Sequence, residues 1–155
     1  MSGAAGHDGA EAVFARKFRL DRLTLWQGGG WVLSLRPEQI TLGSMVLSVE
    51  SGARNLADLG PDEAIGMGRG FALAEGLARE VLGAVRINIL CLMMQDPIVH
   101  FHILPRHDRT ARRHGRDWSD GDWPGPPLIR PAPTDAEVLE ALAAELRAAA
   151  ASRSG

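Results

Sequence analysis

The sequence predicts an α+β fold with an antiparallel sheet, and three observations carry that expectation. Short β-rich apolar runs are grouped early in the chain and again just before residue 106. One long helical pattern separates the two groups, and a second closes the chain. Strands grouped in this way, with helices set apart from them, indicate α+β rather than a parallel βαβ architecture.

Residues 1–10 are small, polar and Gly-rich and are expected to form a disordered lead-in. The runs 23–26 and Trp31–Leu35 are joined by Gln27 and glycines 28–30, the pattern of a β-hairpin. Pro37 ends the second run, because proline has no ladder donor. Met45–Val49 is the third predicted strand. Pro61 and Asp62 open a helix to about residue 82, on which Met67, Phe71, Ala74, Ala78 and Val81 make one apolar face. Four glycines at 66, 68, 70 and 76 weaken that helix intrinsically and point to close packing against a sheet. The nearly continuous apolar run 85–94 predicts a central strand, and after the Asp96-Pro97 turn 98–104 is the next. Residues 106–133, rich in arginine and proline, predict a long ordered but irregular loop. A final helix is expected from Thr134, where Thr-Asp-Ala-Glu makes a capping box, with Val138, Leu139, Leu142 and Leu146 on its apolar face. The chain is therefore expected to be one domain, with a core over 11–106 and a loop and helix over 107–155 packed on it.

Composition narrows the partners. With 45% hydrophobic and 23% charged residues and a formal charge of -2, the 155-residue chain offers no bulk electrostatic attraction for nucleic acid or for a membrane surface. No stretch approaches 18 apolar residues and the N-terminus lacks a secretion signal. Cys91 stands alone among apolar neighbours, which predicts a buried, inert thiol in a reducing compartment. A cytoplasmic location is expected.

The segment Gln95-Asp-Pro-Ile-Val-His-Phe-His-Ile-Leu-Pro-Arg106 holds most of the chemistry. On a strand, Ile98, His100 and His102 share one face while Val99, Phe101 and Ile103 share the other. The residues alone leave two readings: a pair of partly exposed surface histidines, or two imidazole ligands of a metal. A metal needs a third ligand, and His107, beyond Pro105, is the nearest in sequence.

His-Phe-His-Ile-Leu-Pro-Arg resembles the end of the histidine triad (HIT) signature, His-φ-His-φ-His-φ-φ with φ apolar. The order of elements over residues 20–106 resembles that family too, including Gly43 entering a strand and the helix start at Leu59-Gly-Pro-Asp-Glu. Asp-Trp-Pro-Gly-Pro-Pro at 122–127 is similar to the tail of a bacterial branch of small HIT proteins. The resemblance implies a HIT-like antiparallel sheet with one long helix and a C-terminal helix. It implies hydrolysis or transfer of a nucleotidyl group through a covalent nucleotidyl-histidine on His100, with His102 as proton donor or phosphate holder. Keeping a histidine at 102, where transferring members often have glutamine, leans toward hydrolysis. No metal or organic cofactor is implied. The expected ligand is a nucleotide or other phosphate-bearing small molecule, and HIT-like proteins of this size usually pair as homodimers; the Gly-rich helix offers a surface for that.

The sequence also departs from the pattern. Ile98 replaces the first histidine of the triad, Gly43-Ser44 stands where many members have Gly-His, and the Gly-Gln loop is reduced to Met94-Gln95-Asp96-Pro97. A non-catalytic binder of a nucleotide or phosphorylated metabolite is thus the alternative, and a small interaction protein using the arginine-rich tail is a third. Gln95 and Arg36 are the expected phosphate or sugar contacts, with Ser34 and Gln39 weaker ones. Arg106 opens an arginine-rich stretch that suits phosphate oxygens, and Trp123 is a candidate from the tail.

Overall fold

The computed structural model describes residues 2–154, with side chains from 9 to 153. Helix α1 (Ser2–Lys17) and a short α2 (Leu20–Leu23) precede three strands, β1 (Thr24–Gly28), β2 (Trp31–Leu35) and β3 (Met45–Val49). A 3-10 turn at Leu56–Asp58 leads into α3 (Pro61–Gly76), whose last turn widens into a π-helical turn, Leu77–Val81. Then come β4 (Arg86–Leu90), β5 (His100–Arg106), the small hairpin β6 (Ala111–Arg113) and β7 (Arg116–Trp118), and α4 (Ala136–Ser154). The main sheet is antiparallel throughout, in the order β1-β2-β3-β5-β4.

Alternation along paired strands fixes two faces. Leu33, Leu47 and Phe101 stand in register on one. Helix α3 covers this face, and Phe71 meets Phe101 edge-on with ring centroids 5.0 Å apart. Here the glycines of α3 are explained: a Cβ on Gly66 would strike the backbone of Gly29 in the hairpin turn, and one on Gly70 would press on Leu47. Glu63 holds the start of α3 by accepting from the Gly60 N–H at 3.1 Å, half of a capping box. On the opposite face Ser34, Val46 and His102 align, as do Val32, Ser48 and His100. The end of α1 lies over this second face, where Phe14 and Phe18 pack against His100 with ring centroids at 5.2 Å and 6.0 Å. Helix α4 runs along β1 and buries Leu139, Leu142 and Leu146.

Several expectations are revised. A helix occupies most of the stretch expected to be an irregular lead-in, and its described end carries Phe14 and Phe18 into the core. The run 85–94 is not a central strand: only Arg86–Leu90 pairs, and β4 is the sheet's edge, with Ile89 40% exposed. The strand expected at 98–104 is shifted to His100–Arg106, and Ile98 lies just before it. Pro105 is tolerated because β3, which stops pairing at Ile103, has ended by then. Within the tail, His114 and Gly115 both take positive φ and close the β6–β7 hairpin. Helix α4 starts at Ala136, since the Thr134 hydroxyl is spent elsewhere, accepting from Gln39 N–H at 3.1 Å and donating to the Ala132 carbonyl. Cys91 is half-buried rather than buried, in the segment after β4, and burial pushes its thiol up. Among the described residues no helix is long and apolar enough to cross a membrane.

Candidate functional site

Strand β5 delivers His100 and His102 to the face beneath α1, where both line a cavity of about 300 Å³. The two rings meet edge-on with centroids 5.1 Å apart. His100 is 2% exposed and His102 7%, which removes the reading of two surface histidines. The cavity's other walls come from four separate places: Lys17 and Phe18 at the end of α1, Arg36 to Glu38 after β2, residues 92–96 after β4, and Ile129 from the tail.

Hydrogen bonds assign the protons. His100 Nδ1 lies 2.6 Å from the carbonyl oxygen of Ile98. A carbonyl only accepts, so this nitrogen carries the proton and Nε2 keeps its lone pair. At His102 the polarity is reversed. Arg36 Nε donates to His102 Nδ1 at 3.4 Å, so Nδ1 is bare and the proton sits on Nε2. Burial pushes the His102 imidazole down to about 4, helped by His100 and by the positive charge of Arg36. Burial also lowers His100, against the opposing pull of the Ile98 carbonyl and Asp96, while Lys17 adds to the lowering. Both rings are neutral at pH 7: one offers a lone pair, the other an N–H.

The surroundings of the pair are held by buried polar bonds. Gln39, 4% exposed, donates to the carbonyls of Arg36 (2.7 Å) and Ser44 (2.8 Å) and accepts from the Gly43 and Ser44 N–H groups. It pins the 36–44 loop and is not a ligand contact. Arg36 Nη1 donates to the Glu38 carbonyl at 2.8 Å, and burial lowers the guanidinium's affinity for its proton. The tail is stitched to the same loop where Ala132 N–H donates to Glu38 Oε1 at 2.9 Å. On the opposite wall Lys17 Nζ lies 2.6 Å from Asp96 Oδ2 and 3.4 Å from Gln95 Oε1.

The architecture matches solved structures of one kind. A histidine triad protein from Marinobacter aquaeolei aligns over 88% of this chain and 94% of its own, at 21% identity and a TM-score of 0.67. A histidine triad protein from Sinorhizobium meliloti aligns over 83% and 90%, at 23% identity and a TM-score of 0.62. The chain has the histidine-triad fold. A hypothetical histidine triad nucleotide-binding protein from Sulfolobus tokodaii shares it too, over 84% of both chains at 14% identity and a TM-score of 0.62. No protein-family model matches the chain, and no curated protein does.

In this histidine-triad fold, four of the expected residues gather at one cavity: His100, His102, Gln95 and Arg36. The other three do not. Ser34 is fully buried two strands from His102, its hydroxyl 3.4 Å from the Val46 carbonyl. Arg106 sits at the far end of β5, where Nε and Nη2 pair with Asp120 at 2.7 and 3.2 Å and Nη1 donates to Asn88. Trp123 lies against that guanidinium, 5.7 Å from it, outside the cavity. Ile98 lies outside the cavity as well. It is 4% exposed and lines a smaller one, of about 150 Å³, with Phe14, Val32 and Ser48.

His107 donates to or accepts from nothing near the pair; its Nε2 lies 3.0 Å from the Leu42 carbonyl. Among the described residues no three His, Cys, Asp or Glu side chains are grouped to hold a metal. The tail arginines are largely engaged, Arg112 with Asp117, Arg113 with Glu145, and Arg116 over the Trp118 ring at 3.8 Å. Lys17, Phe18, Glu38, Asp96 and Ile129 are among the wall residues that the sequence did not single out as contacts. Asp96 and Gln95 are neighbours, so proximity to an expected contact was the one available signal.

Proposed function

We propose that the chain is a histidine triad family enzyme that hydrolyses a nucleoside phosphate derivative through a nucleotidyl-histidine. The lone pair on His100 Nε2 attacks phosphorus, a P–N bond forms, and the bond from phosphorus to the leaving group breaks. Water then attacks the same phosphorus, the P–N bond breaks, and mononucleotide leaves. One proton of that water ends on the departed group and the imidazole is returned neutral. His102 Nε2–H is suited to hold a phosphate oxygen as charge builds. With its basicity so reduced, it donates a hydrogen bond rather than acting as an imidazolium acid. No metal enters this scheme.

The observation that supports this reading best is the complementary placement of protons on two adjacent neutral imidazoles in one cavity. Covalent catalysis of this kind needs an unprotonated nucleophile and a positioned donor. The test is incubation with adenosine and guanosine 5′-phosphoramidates, following mononucleotide release and trapping the adduct by acid quench. An adduct mapped to His100, with release lost in His100→Ala, is expected. Equal release by wild type and His100→Ala would end the reading.

A non-catalytic binder is the second reading, favoured by the packing of Phe14 and Phe18 against the His100 ring. Nucleotide binding with neither adduct nor release would select it. A homodimer belongs to the proposal as well. Strand β4 leaves one edge unpaired beside exposed Ile89, and α3 exposes Ile65 and Gly68, surfaces that a two-fold partner would cover. Sedimentation at micromolar concentration is expected to give twice the 16.6 kDa chain mass; a lone chain would refute pairing.

A further inference from the structure

The smaller cavity, of about 150 Å³, opens on the same sheet face as the imidazole pair, and none of its lining residues lines the larger one. Phe14 links the two, since its ring packs on His100 and also walls the smaller cavity. Leu20, Val32 and Ile98 add apolar wall. The polar groups there are distinctive. Ser48 is 3% exposed, yet its hydroxyl has no hydrogen-bond partner among the described residues, and the alternation of β3 turns it into this cavity. Buried hydroxyls are rarely left idle in this way. Glu50 follows Ser48 by two residues, and its N–H donates to the Gly30 carbonyl at 2.8 Å, which carries the β2–β3 pairing one step further. Its carboxylate has no ionic partner among the described residues. Glu11, on α1, brings a second carboxylate to the wall. No lysine, arginine or histidine is among the described residues that line this cavity.

We propose that this cavity is a binding site for a small organic cation, a primary alkylammonium. Its chain lies against Leu20, Val32 and Ile98, and its N–H groups go to the Ser48 hydroxyl and the carboxylates of Glu50 and Glu11. An ammonium brings three donors and no acceptor, which one hydroxyl and two carboxylates match. The Phe14 ring adds a face that attracts positive charge. The volume has room for about five groups the size of a water molecule, the span of a short alkylamine. A bare divalent ion fits less well. It needs a shell of oxygens, which the apolar walls do not supply, and no three His, Cys, Asp or Glu side chains are grouped among the described residues. A free amine and the side chain of a lysine in a peptide share this chemistry.

The test titrates n-butylammonium chloride into the full chain, labelled with nitrogen-15, at about pH 7.5, where the amine is charged. Saturable amide shifts centred on Phe14, Ser48, Glu50 and Ile98 are expected, with a Kd on the order of 1 mM, because so small a ligand has few atoms to bind with. n-Butanol, of the same length but uncharged, should bind at least about tenfold more weakly. Glu50→Gln and Ser48→Ala should each weaken butylammonium by about fivefold or more. Glu50 is exposed, so Glu50→Gln decides the matter even if Ser48→Ala does not fold. Nα-acetyl-lysine methylamide carries the same group on a peptide. Its binding assigns the site to a lysine side chain, its exclusion assigns it to a free amine, and both uphold the cation site. Shifts that do not saturate or that centre elsewhere, equal binding of butanol, or unchanged affinity in a folded variant overturn the inference. The readout is binding alone, so the result does not depend on the phosphate chemistry proposed for His100.

Discussion

Nε of Arg36 donates to Nδ1 of His102 across 3.4 Å of buried space, and this bond decides which nitrogen of the ring carries hydrogen. The guanidinium cannot accept, so it keeps Nδ1 bare and leaves Nε2–H as the ring's donor.

The stability of the protein should therefore report on His102. The ring titrates near 4 when folded, against 6.5 for an ordinary histidine. Between these values the unfolded chain binds the extra proton and the folded chain does not, so stability rises with pH across that window. It is complete above pH 6.5 and is lost as pH falls toward 4, by roughly 3 kcal/mol from this residue. Urea melts at successive pH values, compared with His102→Gln, give the difference. Nitrogen-15 spectra should show an Nε2–H tautomer, and Arg36→Met should raise the midpoint of His102, though not fully, because burial is the larger cause.

Ile98→His restores the missing histidine in sequence but is expected to slow nothing and accelerate nothing. The bond from His100 Nδ1 goes to the backbone of residue 98, which every side chain preserves. The new imidazole would replace an apolar side chain among Phe14 and Val32. Burying a poorly satisfied polar ring there costs about 2 kcal/mol, or roughly 4–8 °C in Tm. Calorimetric melting and phosphoramidate turnover measured on the same preparation check both halves; a faster variant would refute this.

Asp120→Ala should be among the most damaging substitutions away from the cavity. Asp120 and Arg106 are 1% and 3% exposed and joined by two bonds. Burial alone would raise the Asp120 carboxyl, but hydrogen bonds from Arg106 and from the His107 and Asp122 N–H groups hold it below the usual carboxylate range. Leaving the guanidinium buried without its partner costs about 3–5 kcal/mol. Denaturant melts of the variant measure it, and a loss under about 1 kcal/mol would show that water reaches Arg106.

Two glycines of α3 separate backbone from side-chain crowding. Gly66→Ala drives a methyl into the Gly29 backbone, which cannot yield without moving the β1–β2 turn. Gly70→Ala meets the tip of Leu47, which can rotate. We expect losses of about 3 and about 1 kcal/mol respectively, in that order by thermal melting.

The sheet, its hairpin and helices α3 and α4 were legible because their residues obey simple periods, whereas α1 was not. Met45–Val49 and Trp31–Leu35 match their predicted bounds. The error at β4 has a physical origin: a run of apolar residues does not distinguish a strand buried in the middle from one waiting at an edge. His100 and His102 were legible through spacing, and Gln95 and Arg36 through resemblance. Arg106 and Ser34 share their sheet face but not their cavity, and only the partners Asp120 and Val46 reveal why. Lys17 and Phe18 were illegible, since a helix end meets a distant strand through tertiary packing that no local pattern encodes.

The cavity's walls are drawn from Lys17 and Ile129 as well as from β5, and that arrangement sets an order of events during synthesis. A nascent chain that has released β5 from the ribosome already owns both imidazoles. It still lacks Ile129 and the Ala132–Glu38 stitch, which come with the tail. Domains emerge N-terminus first, at roughly 5–20 residues per second. For a few seconds, then, the histidines exist before the chamber around them is complete, and it closes only when the last stretch of polypeptide has been laid across the 36–44 loop.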